Sequence, residues 1–171
     1  PLTNTTYTVT VTNGFTCTDT EEIAVTVNAN PTANVGNDTS ICINQSADLQ
    51  GMGAGDYLWN TSATSTTITV SPLVTTTYSL TITNPATCTS TDEIIVTVNA
   101  LPTADAGIDV TICYGKNTAL TANGGTSYSW NTSASTASIT VSPTETTTYT
   151  VTAVNAFSCT DNDDLVVTVL P

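Results

Sequence analysis

The chain has 171 residues, of which 14 are acidic and one, Lys116, is basic, so its formal net charge is −13. A chain without clustered cations does not neutralise phosphates, which excludes nucleic acid as a partner and argues equally against an anionic membrane surface. The sequence contains no histidine, the usual general base near neutral pH, and this argues against an enzyme. No apolar run approaches the ~20 residues of a transmembrane helix, so we expect no membrane insertion.

One motif occurs three times with a constant spacing, at Thr5–Asn13, Thr76–Asn84 and Thr147–Asn155. Apolar and Thr residues alternate within the motif, which is the pattern of a half-buried β-strand. An unbroken period of about 71 residues indicates tandem repeats. We predict the C-terminal half of a truncated repeat at residues 1–30 and complete repeats at residues 31–100 and 101–171.

The truncated repeat predicts two strands, Thr6–Thr12 and Glu22–Asn28, joined by a turn that starts at Asn13. A lone hairpin is only marginally stable in water. Because the chain begins in mid-repeat, we expect it to be a window of a longer protein. The front half of the first repeat then lies upstream, or another molecule completes it.

Each complete repeat predicts a series of short strands. In residues 31–100 they are Thr39–Ile43, Ala47–Gln50, Tyr57–Trp59, Thr66–Val70, Tyr78–Thr83 and Glu93–Val98, and residues 101–171 copy the order. Short strands separated by turn signals about every 8–12 residues predict an all-β fold of tandem immunoglobulin-like antiparallel β-sandwiches. The junctions Asn28–Pro31 and Asn99–Pro102 contain proline, which predicts a semi-rigid rod.

The cysteines recur with the repeat. Cys42 and Cys88 have the same spacing as Cys113 and Cys159, so we predict the disulfides Cys42–Cys88 and Cys113–Cys159, one in each complete repeat. Cys17 then has a partner outside this chain segment. Each bridge contributes roughly 4 kcal/mol in the chain-entropy model and places the protein outside the cytoplasm. Buried unpaired thiols are the alternative, and the absence of histidine and of Cys-x-x-Cys argues against zinc.

The acidic residues have two interpretations. Adjacent acids at the entry to the last strand of each repeat, such as Asp163-Asp164, are interpreted as solvated charges that discourage edge-to-edge strand pairing. The alternative is a calcium site near the second junction, since carboxylates are suitable calcium ligands. Its candidate ligands are Asp105, Asp109, Asp161, Asp163 and Asp164. For Phe15 and Phe157, which sit in hairpin loops beside cysteines, we expect packing rather than ligand binding.

Four segments resemble a known family of modules: Pro102–Cys113, Tyr128–Thr136, Ile139–Pro143 and Thr146–Thr152. They look like parts of the PKD-like or Ig-like repeats in giant secreted surface proteins of Bacteroidota. Such repeats are found in substrates of type IX secretion and in proteins associated with gliding motility. The resemblance implies an extracellular or cell-surface β-sandwich array, a type that occurs in adhesins, filaments and multidomain enzymes.

From these observations we expect a structural, non-enzymatic segment of an extracellular filament, stalk or adhesin. Its partners would be neighbouring repeats of the same protein and other copies in a filament. The alternative is a spacer or glycan-binding accessory module of a secreted multidomain enzyme. Apart from the calcium alternative, we expect no cofactor.

Overall fold

The computed structural model describes all residues from Pro1 to Pro171, and its regular elements are β-strands. This is the expected result for a sequence rich in Thr, Val and Ile, whose branched side chains favour strands over helices. The structure contains no helix that could serve as a membrane span. The strands are β1 (Thr5–Thr12), β2 (Thr18–Val25), β3 (Thr39–Cys42), β4 (Ala47–Gln50), β5 (Asp56–Trp59), β6 (Thr67–Val70), β7 (Thr76–Thr83), β8 (Thr89–Asn99), β9 (Val110–Cys113), β10 (Thr118–Thr121), β11 (Ser127–Trp130), β12 (Ser138–Val141), β13 (Thr147–Val154) and β14 (Thr160–Leu170).

The same sheet order occurs twice. One four-stranded sheet has the order β3-β8-β7-β5 and the other β11-β13-β14-β9, accompanied by the two-stranded sheets β4-β6 and β10-β12. These are immunoglobulin-like sandwiches, as predicted. Their first and last strands run parallel rather than antiparallel, with β3 beside β8 and β9 beside β14. Strands β1 and β2 form a separate antiparallel hairpin.

The chain divides into two compact units whose boundaries do not follow the repeat period. The first comprises residues 1–37, 48–68 and 77–94, and the second comprises residues 38–47, 69–76 and 95–171. In the second unit, strands from both sheets contribute to one apolar core, which contains Ala106, Ile112, Leu120, Ala122, Trp130, Ile139, Val141, Tyr149, Val151, Leu165 and Val167. The most buried side chains of the first unit include Leu49, Trp59, Leu80 and Ile82.

Apolar side chains of the short strands form the core, since Trp59, Ile68, Val70, Ile94 and their equivalents one repeat later are buried. Some strand limits differ. We expected a start at Glu22 for β2 and at Glu93 for β8, but these strands begin at Thr18 and Thr89. Their first residues are polar and show no apolar alternation. These residues nevertheless belong to the strands because they pair with residues of the preceding strand, as Thr18 does with Thr12.

Candidate functional site: a disulfide between repeats and the clamps of the junctions

One disulfide joins Cys42 to Cys159, across 117 residues of sequence. The two Cα atoms are 5.6 Å apart, within the range that a cystine requires. Both residues belong to the second compact unit and both are buried. In terms of the sequence repeats, the bond links residues 31–100 to residues 101–171.

The predicted pairs Cys42–Cys88 and Cys113–Cys159 are therefore wrong, and strand geometry explains why. Cys113 pairs with Leu170 at the far end of β14, whereas Cys159 directly precedes the first residue of β14. A strand of 11 residues spans about 36 Å, far more than a disulfide bridges. The same parallel register places Cys42 beside Asn99, at the opposite end of β8 from Cys88. Cys17, Cys88 and Cys113 are unbonded thiols.

A rigid turn presents Cys159 to Cys42. The Asn155 carboxamide oxygen accepts hydrogen bonds from the backbone N–H groups of Phe157 and Cys159, at 2.9 and 3.0 Å. The backbone N–H of Asn155 also donates to the carbonyl of Cys159, at 3.0 Å. Ser158 has a φ of 63°, so it adopts the left-handed conformation that such a tight turn needs. These bonds fix the backbone of the turn that carries Cys159.

Cys42 ends β3 and starts a tight turn of its own. Its carbonyl accepts a hydrogen bond from the backbone N–H of Gln45 at 3.0 Å, and its own N–H donates to the Gln45 side-chain oxygen at 3.2 Å. Asn44, within the turn, has a φ of 68°. Both ends of the disulfide are thus held by short-range hydrogen bonds, so the bond joins two stiff segments.

The residues around each proline-containing junction form a second set of contacts. We call residues 28–36 and 99–107 the junction segments. In the second one, the Asn155 amide group donates to the Ala100 carbonyl at 2.8 Å. Asp161 and Asp163 accept the backbone N–H groups of Ala104 and Ala106, at 3.0 and 2.8 Å. We call these three contacts the junction clamp.

The first junction segment has an equivalent clamp. Asn84 donates to the Ala29 carbonyl at 2.9 Å, and the N–H of Val35 donates to Asp92 at 2.9 Å. Ser90 stands where the second clamp has Asp161, and it accepts the N–H of Ala33 over a longer distance, 3.4 Å. Hydrogen bonds to an ionised acceptor are stronger than bonds between neutral groups. The second clamp, with two carboxylates, should therefore be the tighter one.

The aspartates proposed as calcium ligands make other contacts. No group of three or more His, Cys, Asp or Glu residues is placed to hold a metal ion. Asp161 and Asp163 belong to the junction clamp, Asp109 accepts the N–H of Val166 at 2.9 Å, and Asp105 accepts the N–H of Gly107 at 2.9 Å. Asp164 lies opposite Thr150 in the strand register. The geometry does not support the calcium alternative, because four of the five candidate carboxylates serve as acceptors for backbone N–H groups.

Two further interpretations from the sequence need correction. Asp163 and Asp92 are not simply solvated charges, since each accepts a hydrogen bond from a junction segment. Phe15 and Phe157 do not pack in the interior, because both rings are mostly exposed at the tips of their turns. The adjacent acids point to opposite faces of the sheet, since Asp163 lies opposite Val151 and Asp164 opposite Thr150.

An asparagine side chain organises each of these turns, whereas the sequence predicted a turn only at Asn13 and did not indicate the role of its side chain. Asn13, Asn84 and Asn155 all accept hydrogen bonds from the residues two and four positions later. The signal was present, because an asparagine stands four residues before a cysteine in every copy of the repeat. Side chains of this type hydrogen-bond to their own backbone two residues on, which makes them turn formers.

Comparisons with known proteins give likeness of fold only. No protein-family model matches the chain, and no curated protein matches it. A titin fragment, I67-I69 of the I-band, is 11% identical, with 98% of this chain and 75% of that chain covered and a TM-score of 0.45. The insect immune protein hemolin is 12% identical over 96% of this chain and 56% of its own, with a TM-score of 0.45. The two-domain fragment IG1+IG2 of DIP-gamma is 12% identical over 84% of this chain and 99% of its own, with a TM-score of 0.39.

Proposed function

We propose that this chain is a structural, non-enzymatic segment of an extracellular filament, stalk or adhesin, built from stacked immunoglobulin-like repeats. The observation that carries the proposal is the disulfide between Cys42 and Cys159. The bond joins residues 31–100 covalently to residues 101–171, so these two repeats cannot be pulled apart while it is intact. This is the property that a load-bearing spacer needs.

The junction clamps support the same function. The carbonyls of Ala29 and Ala100, which lie within the junctions, are held by asparagine side chains of the repeat that follows. A junction whose backbone is hydrogen-bonded in this way has few conformations left, so it transmits force and orientation rather than acting as a flexible linker. The location outside the cell is supported by the disulfide and by the resemblance to secreted surface repeats.

Single-molecule stretching of the chain tests this function. With the disulfide intact, residues 43–158 are enclosed in a covalent loop and do not contribute to the extended length. Reduction opens this loop, so the 117 residues that separate the two cysteines can be stretched. At 3.3–3.6 Å per residue, the fully extended chain becomes roughly 40 nm longer. We expect discrete unfolding events in both states and the extra length only after reduction.

Two variants are the controls for the stretching experiment. Cys42→Ser should have the longer extended length even under oxidising conditions, because its partner Cys159 remains unbonded. Cys88→Ser should behave like the unmodified chain, since Cys88 makes no disulfide. A chain that extends fully without resistance under oxidising conditions would contradict a mechanical role.

A further inference from the structure

A cleft lies beside residues 106–109, which we call the crossover segment. Before this segment, Asp105 pairs with Asn123, just beyond the end of β10, through backbone hydrogen bonds of 2.9 and 3.3 Å. After it, Val110 pairs with Val167 of β14. The crossover segment passes from one sheet to the other and pairs with neither, so the cleft opens between it and β10.

The cleft is apolar and has room for one large side chain. Its volume is about 230 Å³, and its lining includes Ile108 and the buried side chains of Leu120 and Leu165. An apolar cavity of about 150 Å³ holds a benzene ring, whereas pockets for drug-sized ligands begin at about 300 Å³. Ile108 is 86% exposed, so its side chain is available to a ligand that enters the cleft.

The edge of β10 that faces the crossover segment carries unpaired backbone groups. In an antiparallel pair, the backbone groups of alternate residues point to the same side of the strand. Ala122 donates its N–H on the side of β12, and Asn123 forms its bonds on the opposite side. Ala119 and Thr121 therefore direct their N–H and C=O groups to the side of Asn123, where no backbone group pairs with them. The Thr121 carbonyl lies near Gly107, since a Cβ added to Gly107 would be 3.9 Å from its oxygen.

The first complete repeat shows that the fold does not require an apolar cleft at this place. Both repeats have the same sheet order, but Val35 stands in place of Ala106 and Asn37 in place of Ile108. Val35 and Ala106 are 3% and 1% exposed. Valine has two carbon atoms more than alanine, and asparagine is polar. The apolar cleft is therefore a property of the side chains in residues 101–171 rather than of the sandwich itself.

We propose that the crossover segment and β10 bind an extended, cationic peptide segment of another protein by β-strand addition. The backbone of that segment pairs with Ala119 and Thr121, and one of its apolar side chains enters the cleft beside Ile108. In this mode of recognition, main-chain hydrogen bonds supply affinity and side-chain pockets supply specificity. The inference goes beyond the proposed structural function and does not depend on it.

Charge selects the kind of partner. Asp105 and Asp109 flank the crossover segment, and both are exposed. The chain has a net charge of −13 and a single cation, Lys116. Two copies of this chain therefore repel each other, whereas a segment with lysine or arginine next to its apolar residues is attracted to the cleft.

Synthetic peptides test the proposal. The probe is fluorescein-labelled Lys-Thr-Leu-Thr-Leu-Thr-Lys, titrated by fluorescence anisotropy against the full chain with its disulfide intact. One control peptide has serine in place of both leucines, and a second has N-methyl groups on the backbone nitrogens of its central residues. Each control should bind about tenfold more weakly, because it loses either the apolar contact or the main-chain hydrogen bonds. A third peptide, with glutamate at both ends, should bind about fivefold more weakly at low salt and equally well at high salt.

Matched protein variants exchange side chains between the two repeats. Ile108→Asn should weaken binding of the probe about tenfold, and Ala106→Val, which narrows the cleft, should weaken it by a similar factor. Asn37→Ile, the reverse change in the other repeat, should leave binding unchanged. Denaturant midpoints establish that each variant is folded.

Hydrogen exchange measured by NMR locates the bound peptide. At saturating peptide the amides of Ala119 and Thr121 should exchange about tenfold more slowly, because they gain hydrogen bonds. The amide of Ala122 is the internal control, since it is already bonded to the carbonyl of Ala137.

Three results would overturn the proposal. The first is no binding of the probe at millimolar concentration, and the second is binding that Ile108→Asn and Ala106→Val leave unchanged. The third is protection of Ala119 and Thr121 that grows with protein concentration in the absence of peptide, which would identify a second copy as the occupant. None of them alters the length gain expected on reduction, so the structural function is tested separately.

Discussion

The hairpin β1–β2 and the strand pair β13–β14 have nearly the same sequence pattern and the same register, but opposite burial. Tyr7 pairs with Ile23 as Tyr149 pairs with Leu165. Tyr7 is 49% exposed and Tyr149 is 7% exposed. Val9 is 60% exposed, whereas Val151, the same residue type at the equivalent position, is fully buried. The two regions are therefore a natural control for each other.

This difference in burial shows which features of the fold depend only on contacts between residues close together in sequence and which depend on distant strands. Strand pairing and the asparagine-capped turn form in both regions, so contacts between residues close together in sequence are sufficient for them. Burial of the apolar face is achieved only in β13–β14, where Leu120, Trp130 and Ile139 come from other strands. The core is thus a property of the complete repeat, and the hairpin by itself has no apolar surface to pack against.

Hydrogen exchange should show the largest contrast between the two regions. Amides in β13–β14 should open only with unfolding of the second unit, whereas amides in β1–β2 open by local fraying because few buried contacts hold them. We expect exchange roughly a thousand-fold or more faster in the hairpin. Mass spectrometry of peptides 1–30 and 143–171 measures this directly. Equal protection of both peptides would mean that the exposed face of the hairpin is covered in solution, and a dependence on protein concentration would identify a second copy as the cover.

The two matched valines should differ clearly in their effect on stability. Val151→Ala removes two methyl groups from a fully packed position and should cost about 2–3 kcal/mol through lost burial and the cavity left behind. Val9→Ala changes an exposed position and should stay within about 0.5 kcal/mol. Denaturant unfolding followed by tryptophan fluorescence measures both. An equal loss for the two variants would show that the hairpin face is packed in the folded protein.

Most of the fold was predictable because its signals are local. The alternation of Thr with apolar residues identified strands such as β7 and β13, in which Tyr78, Leu80, Tyr149 and Val151 are buried. The first residues of β2, β8 and β14 are polar, and the sequence did not predict them to be part of a strand. They are in a strand conformation because they pair with the neighbouring strand, which side-chain alternation does not reveal.

The disulfide could not be predicted from spacing alone. In each complete repeat one cysteine ends the first strand and another directly precedes the last strand. Cys42 therefore has a candidate partner of the second kind at Cys88 and again, in the next repeat, at Cys159. The choice depends on the parallel pairing of β3 with β8 and of β9 with β14, which separates the two cysteines of one repeat by the length of a strand. Parallel pairing between elements so far apart in sequence leaves no local signal.

The junction clamp gives the smallest and most specific contrast, between Asp163 and its equivalent in the hairpin, Glu21. Both lie on the same face of the strand as a valine, Asp163 opposite Val151 and Glu21 opposite Val9. Only Asp163 has the N–H of Ala106 as a hydrogen-bond donor. Asp163→Ala leaves that N–H without its acceptor and should cost about 1.5–2 kcal/mol, as expected for a hydrogen bond to a charged group.

Glu21→Ala should stay within about 0.5 kcal/mol, since it changes an exposed position. Asp163→Asn separates the hydrogen bond from the charge. It keeps an acceptor oxygen for the N–H of Ala106, so it should recover part of the stability that Asp163→Ala loses.

Denaturant midpoints of the three variants, compared at low and high salt, measure these differences in stability. If Asp163→Asn were as destabilising as Asp163→Ala, the charge rather than the hydrogen bond would hold the junction segment. Equal costs for Asp163→Ala and Glu21→Ala would instead mean that the clamp contributes nothing to the stability of the repeat, and the stiffness of the junction would have to come from the proline and the disulfide alone.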